Sequence, residues 1–187
     1  MQDSARPPLF AEQVPAANRR LYVRADLGDA TANQGRFFDV DYSETLRSMA
    51  LTVIAAQGPV RDDALVREVA RAHGFAGTGH RIKQRVLELL SGVTCTTESV
   101  GTFYWPESAI PTSVPFRYHP TEEDRRSLDD IAMPELIGLV REHPALLASD
   151  DPALSLAREL GLGRLASATR KRLEEAVEAS ERNRVLD

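Results

Sequence analysis

Between Thr78 and Leu90 the chain places an apolar stripe at Ile82, Val86, Leu89 and Leu90, with hydrogen-bonding side chains at His80, Arg81, Lys83, Gln84, Arg85 and Glu88. At 100° per residue this spacing describes a helix with His80, Arg81, Gln84 and Glu88 on its outer face and Lys83 and Arg85 on its two borders. The residue types point to a chemistry. A guanidinium fork such as that of Arg81 matches the two acceptors on the major-groove edge of guanine, and an amide such as that of Gln84 matches adenine. Cations on the borders, Lys83 and Arg85, suit phosphates. Thr78 and His80 fall at the N-terminal part of the helix, the part that touches base edges when a helix enters the major groove. The candidate DNA-binding residues are therefore Thr78, His80, Arg81, Lys83, Gln84 and Arg85, and the implied partner is double-stranded DNA. From Ala64 to Gly92 there are five cations against two anions, in a chain whose net charge is −5. That local excess describes a polarised surface, although charged outer faces are also ordinary solvated ones.

Other chemistries lack their residues. Neither lysine, Lys83 or Lys171, follows a glycine, so there is no phosphate loop of the G-K-[ST] type. Arg81 and Thr169 stand two residues before those lysines, where a restriction-type nuclease needs an acidic metal ligand. His73, His80, His119 and His143 form no H-E-x-x-H pair, and Cys95 is alone. No catalytic residue, metal or cofactor is expected, and the chain is read as a non-enzyme. Cys95, in a strand-like stretch, is expected to act as a small buried hydrophobe. His73 falls at a helix end, where it favours the dipole. The glycines of G74-F-A-G77-T-G79 read as helix termination and a tight turn rather than a phosphate cradle. Trp105 is expected to anchor a hairpin against the core.

The elements that must position these residues follow from periodicity. Asp41 and Glu44 have capping-box spacing, and Leu46, Met49, Ala50, Val53 and Ile54 then form one helical stripe ended by Gly58-Pro59. Asp62 or Asp63 is placed to cap a second helix, with Leu65, Val66, Val69 and Ala70 inward and Gly74 at its C-terminal turn. The third helix is expected from about Thr78 to Ser91. The period then changes: Val93 to Thr97 and Thr102 to Trp105 are β-branched and aromatic, around a turn at Glu98 to Gly101. Three helices followed by a β-hairpin is the order of a winged helix-turn-helix, although the wing residues Thr96, Thr97, Glu98 and Ser99 offer no cation.

With 187 residues, 42% apolar and 27% charged, the chain suits one large domain or two small ones joined by a linker. Residues 1–40 read as an N-terminal extension, with one short strand at Leu21 to Arg24 and with Phe37 and Phe38 docking it. Residues 41–107 form the winged-helix unit, 108–130 a Pro-rich acidic linker, and 131–187 a second helical unit without a wing. Adding 87 to the numbers of the first unit brings Met49 onto Leu136, Val53 onto Val140, Val69 onto Leu156 and Gly74 onto Gly161. It also brings Lys83 onto Arg170 and Arg85 onto Arg172. This is a tandem repeat, and Arg170, Lys171 and Arg172 are its second-unit candidates. The fold class is mainly α: tandem winged-helix or helix-turn-helix-like three-helix units, with a β-hairpin wing in the first.

The stretch VIAAQGPVRDDALVREVARAHGFAGTGHRIKQRVLELL, followed by TFYWPE and VPFR, resembles the uncharacterised domain at the C-terminal end of bacterial DNA helicase-related proteins. The resemblance runs from about Tyr42 to Ala179. Its most specific parts are Gly58-Pro59-Val60, Val69 to Gly74, Arg81-Ile82, Trp105 and the Pro115/Arg117 pair. In those proteins the domain follows a helicase core and a restriction-endonuclease-like domain, which implies an accessory role and a helicase or nuclease as a protein partner.

The longest apolar run is far short of the roughly 20 residues needed to span a bilayer, and the first residues lack the pattern of a signal peptide. A cytoplasmic protein with no membrane partner is expected. The reading is a non-catalytic accessory protein or domain that binds DNA in a helicase or nuclease system. The alternative is a docking scaffold for such an enzyme, without nucleic-acid contact, which the acidic linker and negative net charge favour.

Overall fold

The computed structural model describes residues 19–28 and 32–184. The proline-punctuated start of the expected extension, including Pro7, Pro8 and Pro15, lies outside the described residues. The chain is mainly α, with six helices among the described residues and small strands between them. It divides into two compact units. One comprises Tyr22–Ile110 with His119–Ala132, and the other comprises the described residues up to Leu21, Pro111–Tyr118 and the chain from Met133 onward. The stretch expected as a linker is thus shared between the two units.

In the first unit α1 (Ser43–Gln57) buries the predicted stripe of Leu46, Met49, Ala50, Val53 and Ile54. Its start differs from the expected capping box. The chain enters through a 3-10 turn at Val40–Tyr42, so Tyr42 takes the N-cap place and contributes no side-chain cap. The Asp41 carboxylate instead lies 2.6 Å from the Arg36 guanidinium. A two-residue strand, β2 (Val60–Arg61), leads into α2 (Asp62–Ala72). The α2 helix begins at Asp62 itself, so both aspartates stand in its first turn and Arg61, without a side-chain cap, is its N-cap. Gly74 ends the helix at φ +78°, with its N–H donating to Arg71 and that of Phe75 donating to Ala70. This left-handed closure is the one glycine allows at no steric cost.

After the turn, α3 (His80–Glu88) buries Ile82 and Val86, and its last turn runs on to Leu90. The hairpin forms where the period changes, as β3 (Cys95–Glu98) and β4 (Gly101–Tyr104). The sheet order is β2-β4-β3, antiparallel throughout, with Val60 opposite Tyr104 and Thr96 opposite Phe103. β2 was not anticipated, because two residues carry no readable period. Cys95 is exposed, against expectation. It stands on the edge strand, where period-2 alternation turns Cys95 and Thr97 to solvent and leaves the packing to β4. Trp105 is buried as predicted, its indole N–H 3.0 Å from Thr96 Oγ1 across the hairpin. His73 is the C-cap of α2, at the helix end as expected, and it is also buried. Its Nε2 lies 3.1 Å from Tyr42 Oη and its Nδ1 2.7 Å from the Val69 carbonyl, while Phe37 packs edge-on against its ring.

In the second unit α4 (Met133–Glu142), a 3-10 turn (Pro144–Ala148), α5 (Pro152–Glu159) and α6 (Ser167–Arg184) follow one another. Here Asp151 does cap its helix, accepting from Leu154 N at 3.0 Å. The helix ends keep the 87-residue offset. Gly161 has φ +64°, its N–H donates to Arg158, and the N–H of Leu162 donates to Ala157. Each of these residues is the partner, 87 further on, of one in the Gly74 closure. β1 (Arg20–Leu21) pairs in parallel with β5 (Arg117–Tyr118) and is shorter than the strand expected at Leu21 to Arg24. Beyond it, in the first unit, Arg24 forms ion pairs with Glu68 and Asp124, both at 2.8 Å.

Candidate nucleic-acid interface

The candidate surface is built by α2, the turn after it and α3. Ile82 and Val86 face the core and fix the rotation of α3, leaving Thr78, His80, Arg81 and Gln84 together on the exposed side. The Arg81 guanidinium lies 5.0 Å from the ring centroid of Phe38, a cation–π stack that holds its fork at the surface. Gln84 donates to Glu88 Oε1 at 2.8 Å, one turn along the same face.

The two border cations do something the sequence did not indicate. Lys83 Nζ lies 2.5 Å from Asp63 Oδ1 and 2.9 Å from Asp62 Oδ2, which ties α3 to the first turn of α2. The hydrogen bonds to Asp63 and Asp62 hold the ammonium above its ordinary range, and the same contact holds the Asp63 carboxyl below its own. Arg85 turns to the segment before α1. It donates to the Asp39 carbonyl at 2.6 Å, to Ser43 Oγ at 2.9 Å and to the Phe37 carbonyl at 3.4 Å. The docking expected of Phe37 and Phe38 is half fulfilled: Phe37 is fully buried, while Phe38 is 45% exposed.

Two cations outside the sequence-derived set share this surface. Arg67 and Arg71, four apart on α2, are exposed and make no hydrogen bond or ion pair among the described residues. The signal was available, since both counted towards the local charge excess, but an exposed arginine on a second helix looks like any solvated one.

In the second unit Arg170 grips Asp151 with both guanidinium nitrogens, at 3.1 and 3.0 Å, and reaches Glu174 at 3.5 Å. That contact holds Asp151 below the usual carboxylate range and raises Arg170. Lys171 is exposed, 4.0 Å from Glu175. Arg172 is only 4% exposed. The three second-unit candidates therefore do not gather on one open face: the first is paired, the second is exposed and the third is buried.

Among the described residues no group of three His, Cys, Asp or Glu side chains could hold a metal ion. None of the described helices is long and apolar enough to cross a membrane. Residues 35–84, from before α1 into α3, match a family model described as a protein of unknown function, DUF3320. No curated protein matches the chain, and no solved structure does. The part of the chain that carries the candidate surface is thus similar to an uncharacterised domain of unknown function.

Proposed function

We propose that the first unit is a winged helix that binds double-stranded DNA, and that the protein is a non-catalytic accessory component of a helicase or nuclease system, acting in the cytoplasm. The element order supports the winged-helix reading: α1, β2, α2, α3, then the β3–β4 hairpin, with the pairing order β2-β4-β3. In such a unit α3 is the helix offered to the major groove. The observation that carries the DNA reading is the exposed face of α3 with the turn before it, where Thr78 in the turn and His80, Arg81 and Gln84 on the helix stand clear of the core and Arg81 is held outward by Phe38. The helicase association rests on the sequence resemblance.

The test is duplex binding by the full chain, followed by fluorescence anisotropy at 50–200 mM salt. Arg81→Ala is expected to weaken binding by about 1–3 kcal/mol if the guanidinium reads a base edge. Exposure of the side chain predicts little change in melting. A wild-type chain that leaves a duplex column at low salt sinks the reading.

A specific observation favours the second reading, a docking scaffold. Lys83 and Arg85 are turned inward to the protein's own groups, and apolar Phe38 and Val40 are exposed beside α3, Val40 at 86%. On that reading a helicase or nuclease protein, not DNA, covers this face. Phe38→Ala should then weaken capture of the enzyme without altering behaviour on a duplex column.

A further inference from the structure

We infer that the cleft between the last turns of α2 and the turn before α3 is a seat for one phosphodiester group of duplex DNA, gripped by Arg67 and Arg71. This inference rests on the DNA-binding reading and names residues that reading did not include.

Of the ten arginines in the first unit, seven are engaged by carboxylates, carbonyls or hydroxyls or hold another described contact, and Arg81 lies over Phe38. Arg67 and Arg71 are left, and they lie one turn apart on the same face of α2. Like charges at that spacing oppose the helix slightly, so the pair makes electrostatic sense when an anion lies between them. The nearest acid towards the helix start, Asp63, makes its closest contact with Lys83 and acts on Arg67 only through space, without a hydrogen bond or ion pair.

The space beside them has the right chemistry. A surface cleft of about 190 Å³ is lined by Arg67, Arg71, Phe75, Gly77 and Thr78. It offers two guanidinium groups and a hydroxyl, with no acidic side chain in the lining. Gly77 is part of the lining, and a Cβ built there meets no atom within 4 Å, so a side chain at this position has free space. Planar guanidinium forks match phosphate oxygens bidentately, and paired forks are used where a phosphate must be held in one orientation. The cleft adjoins Thr78 at the foot of α3, so a strand seated there runs beside the helix face that carries Arg81. The division of labour follows: Lys83 and Arg85 hold the fold, Arg67 and Arg71 hold the backbone, and Arg81 and Gln84 meet the bases.

The experiment measures duplex affinity of the full chain against salt, with melting followed in parallel, for four proteins. Arg67→Ala with Arg71→Ala should flatten the log–log salt dependence by about 1.8, two phosphate contacts' worth, and weaken binding at 50 mM salt by roughly tenfold or more. Gly77→Glu should weaken binding comparably by placing a carboxylate in the cleft. It keeps both arginines and needs no strained backbone, so it remains informative if the double variant melts early. Gly163→Glu, an equally open position in the second unit, should match wild type. If wild type binds and the double variant keeps its slope and affinity, the phosphate seat is wrong while the DNA reading stands. If wild type shows no duplex binding, both fall together.

Discussion

The first helix of each unit occupies the same place in its three-helix sequence, and the two helices meet different surroundings. Along α1, Ser48, Leu51 and Thr52 face solvent. Along α4 the positions 87 further on are Glu135, Gly138 and Leu139, and every residue from Glu135 to Val140 is buried. The cover on α4 is the Pro111–Tyr118 segment of its own unit. Gly138 lies against the Val114 backbone, and Glu135 receives Arg117, with the closest approach 2.7 Å. The two helices share a place in the chain order and differ in what covers them. Where a segment closes over the helix, the covered positions are a charge with a dedicated partner, a glycine and a leucine. Where water remains, serine and leucine suffice.

The contrast is most severe at Glu135, which is fully buried and accepts from both the backbone N–H and the guanidinium of Arg117. Glu135→Ala strands the Arg117 charge and should cost about 3–5 kcal/mol in urea unfolding. Ser48→Ala, the corresponding change in α1, should stay within about 0.5 kcal/mol. Replacing both Glu135 and Arg117 by apolar residues of similar volume should recover most of the loss. Equal costs for the two single changes would break the comparison.

Gly138 supplies a steric version of the same contrast. A Cβ there would lie 1.8 Å from the Val114 carbonyl oxygen, and the obstacle is backbone that has no rotamer to yield. Gly138→Ala should destabilise by about 1–3 kcal/mol despite its better helix propensity. Its counterpart Leu51 is 37% exposed, and Leu51→Ala should cost about 0.5 kcal/mol or less. Thermal melting of the two variants side by side decides whether cladding sets the tolerance of each helix.

The smallest effects belong to a feature the units share. In each, a cation near the start of the third helix grips the acidic start of the second, Lys83 on Asp62 and Asp63 in one and Arg170 on Asp151 in the other. Asp63 and Asp151 are both held below the ordinary aspartate value of 3.8. Each therefore contributes stability that is complete above that value and is lost as pH falls through its lowered pKa. Lys83 is raised above 10.5, so its contribution is complete below 10.5 and fades as pH rises through the raised pKa. Arginine does not deprotonate in that range. Acid should thus loosen both locks and alkali only the first. Carboxylate-detected NMR titration should show Lys83→Met returning Asp63 towards its ordinary value while Asp151 is unmoved, and Arg170→Met doing the reverse. Lys83→Arg should keep Asp63 low and make the first lock as resistant to alkali as the second.

The sequence by itself determined the helices of both units, because each depends on local causes: the Leu46 to Ile54 stripe, the glycine closures at Gly74 and Gly161, and the change of period at Val93. The glycine closures at Gly74 and Gly161, 87 residues apart, end their helices with the same hydrogen bonds. The exposure of His80, Arg81, Gln84 and Glu88 was legible for the same reason, because an exposed helix face is the complement of its buried stripe. Only the tertiary structure decided what the charges do. Lys83 and Arg85 look like free border cations in sequence and are bound to groups 20 and more residues away. Asp41 looks like a cap and is an ion-pair partner. Cys95 looks buried and is exposed, because an edge strand has one wet face and alternation alone does not say which. Apolar periodicity is read from neighbours three or four apart. A long side chain takes its partner from whatever element the fold brings within reach, and no local pattern encodes that choice.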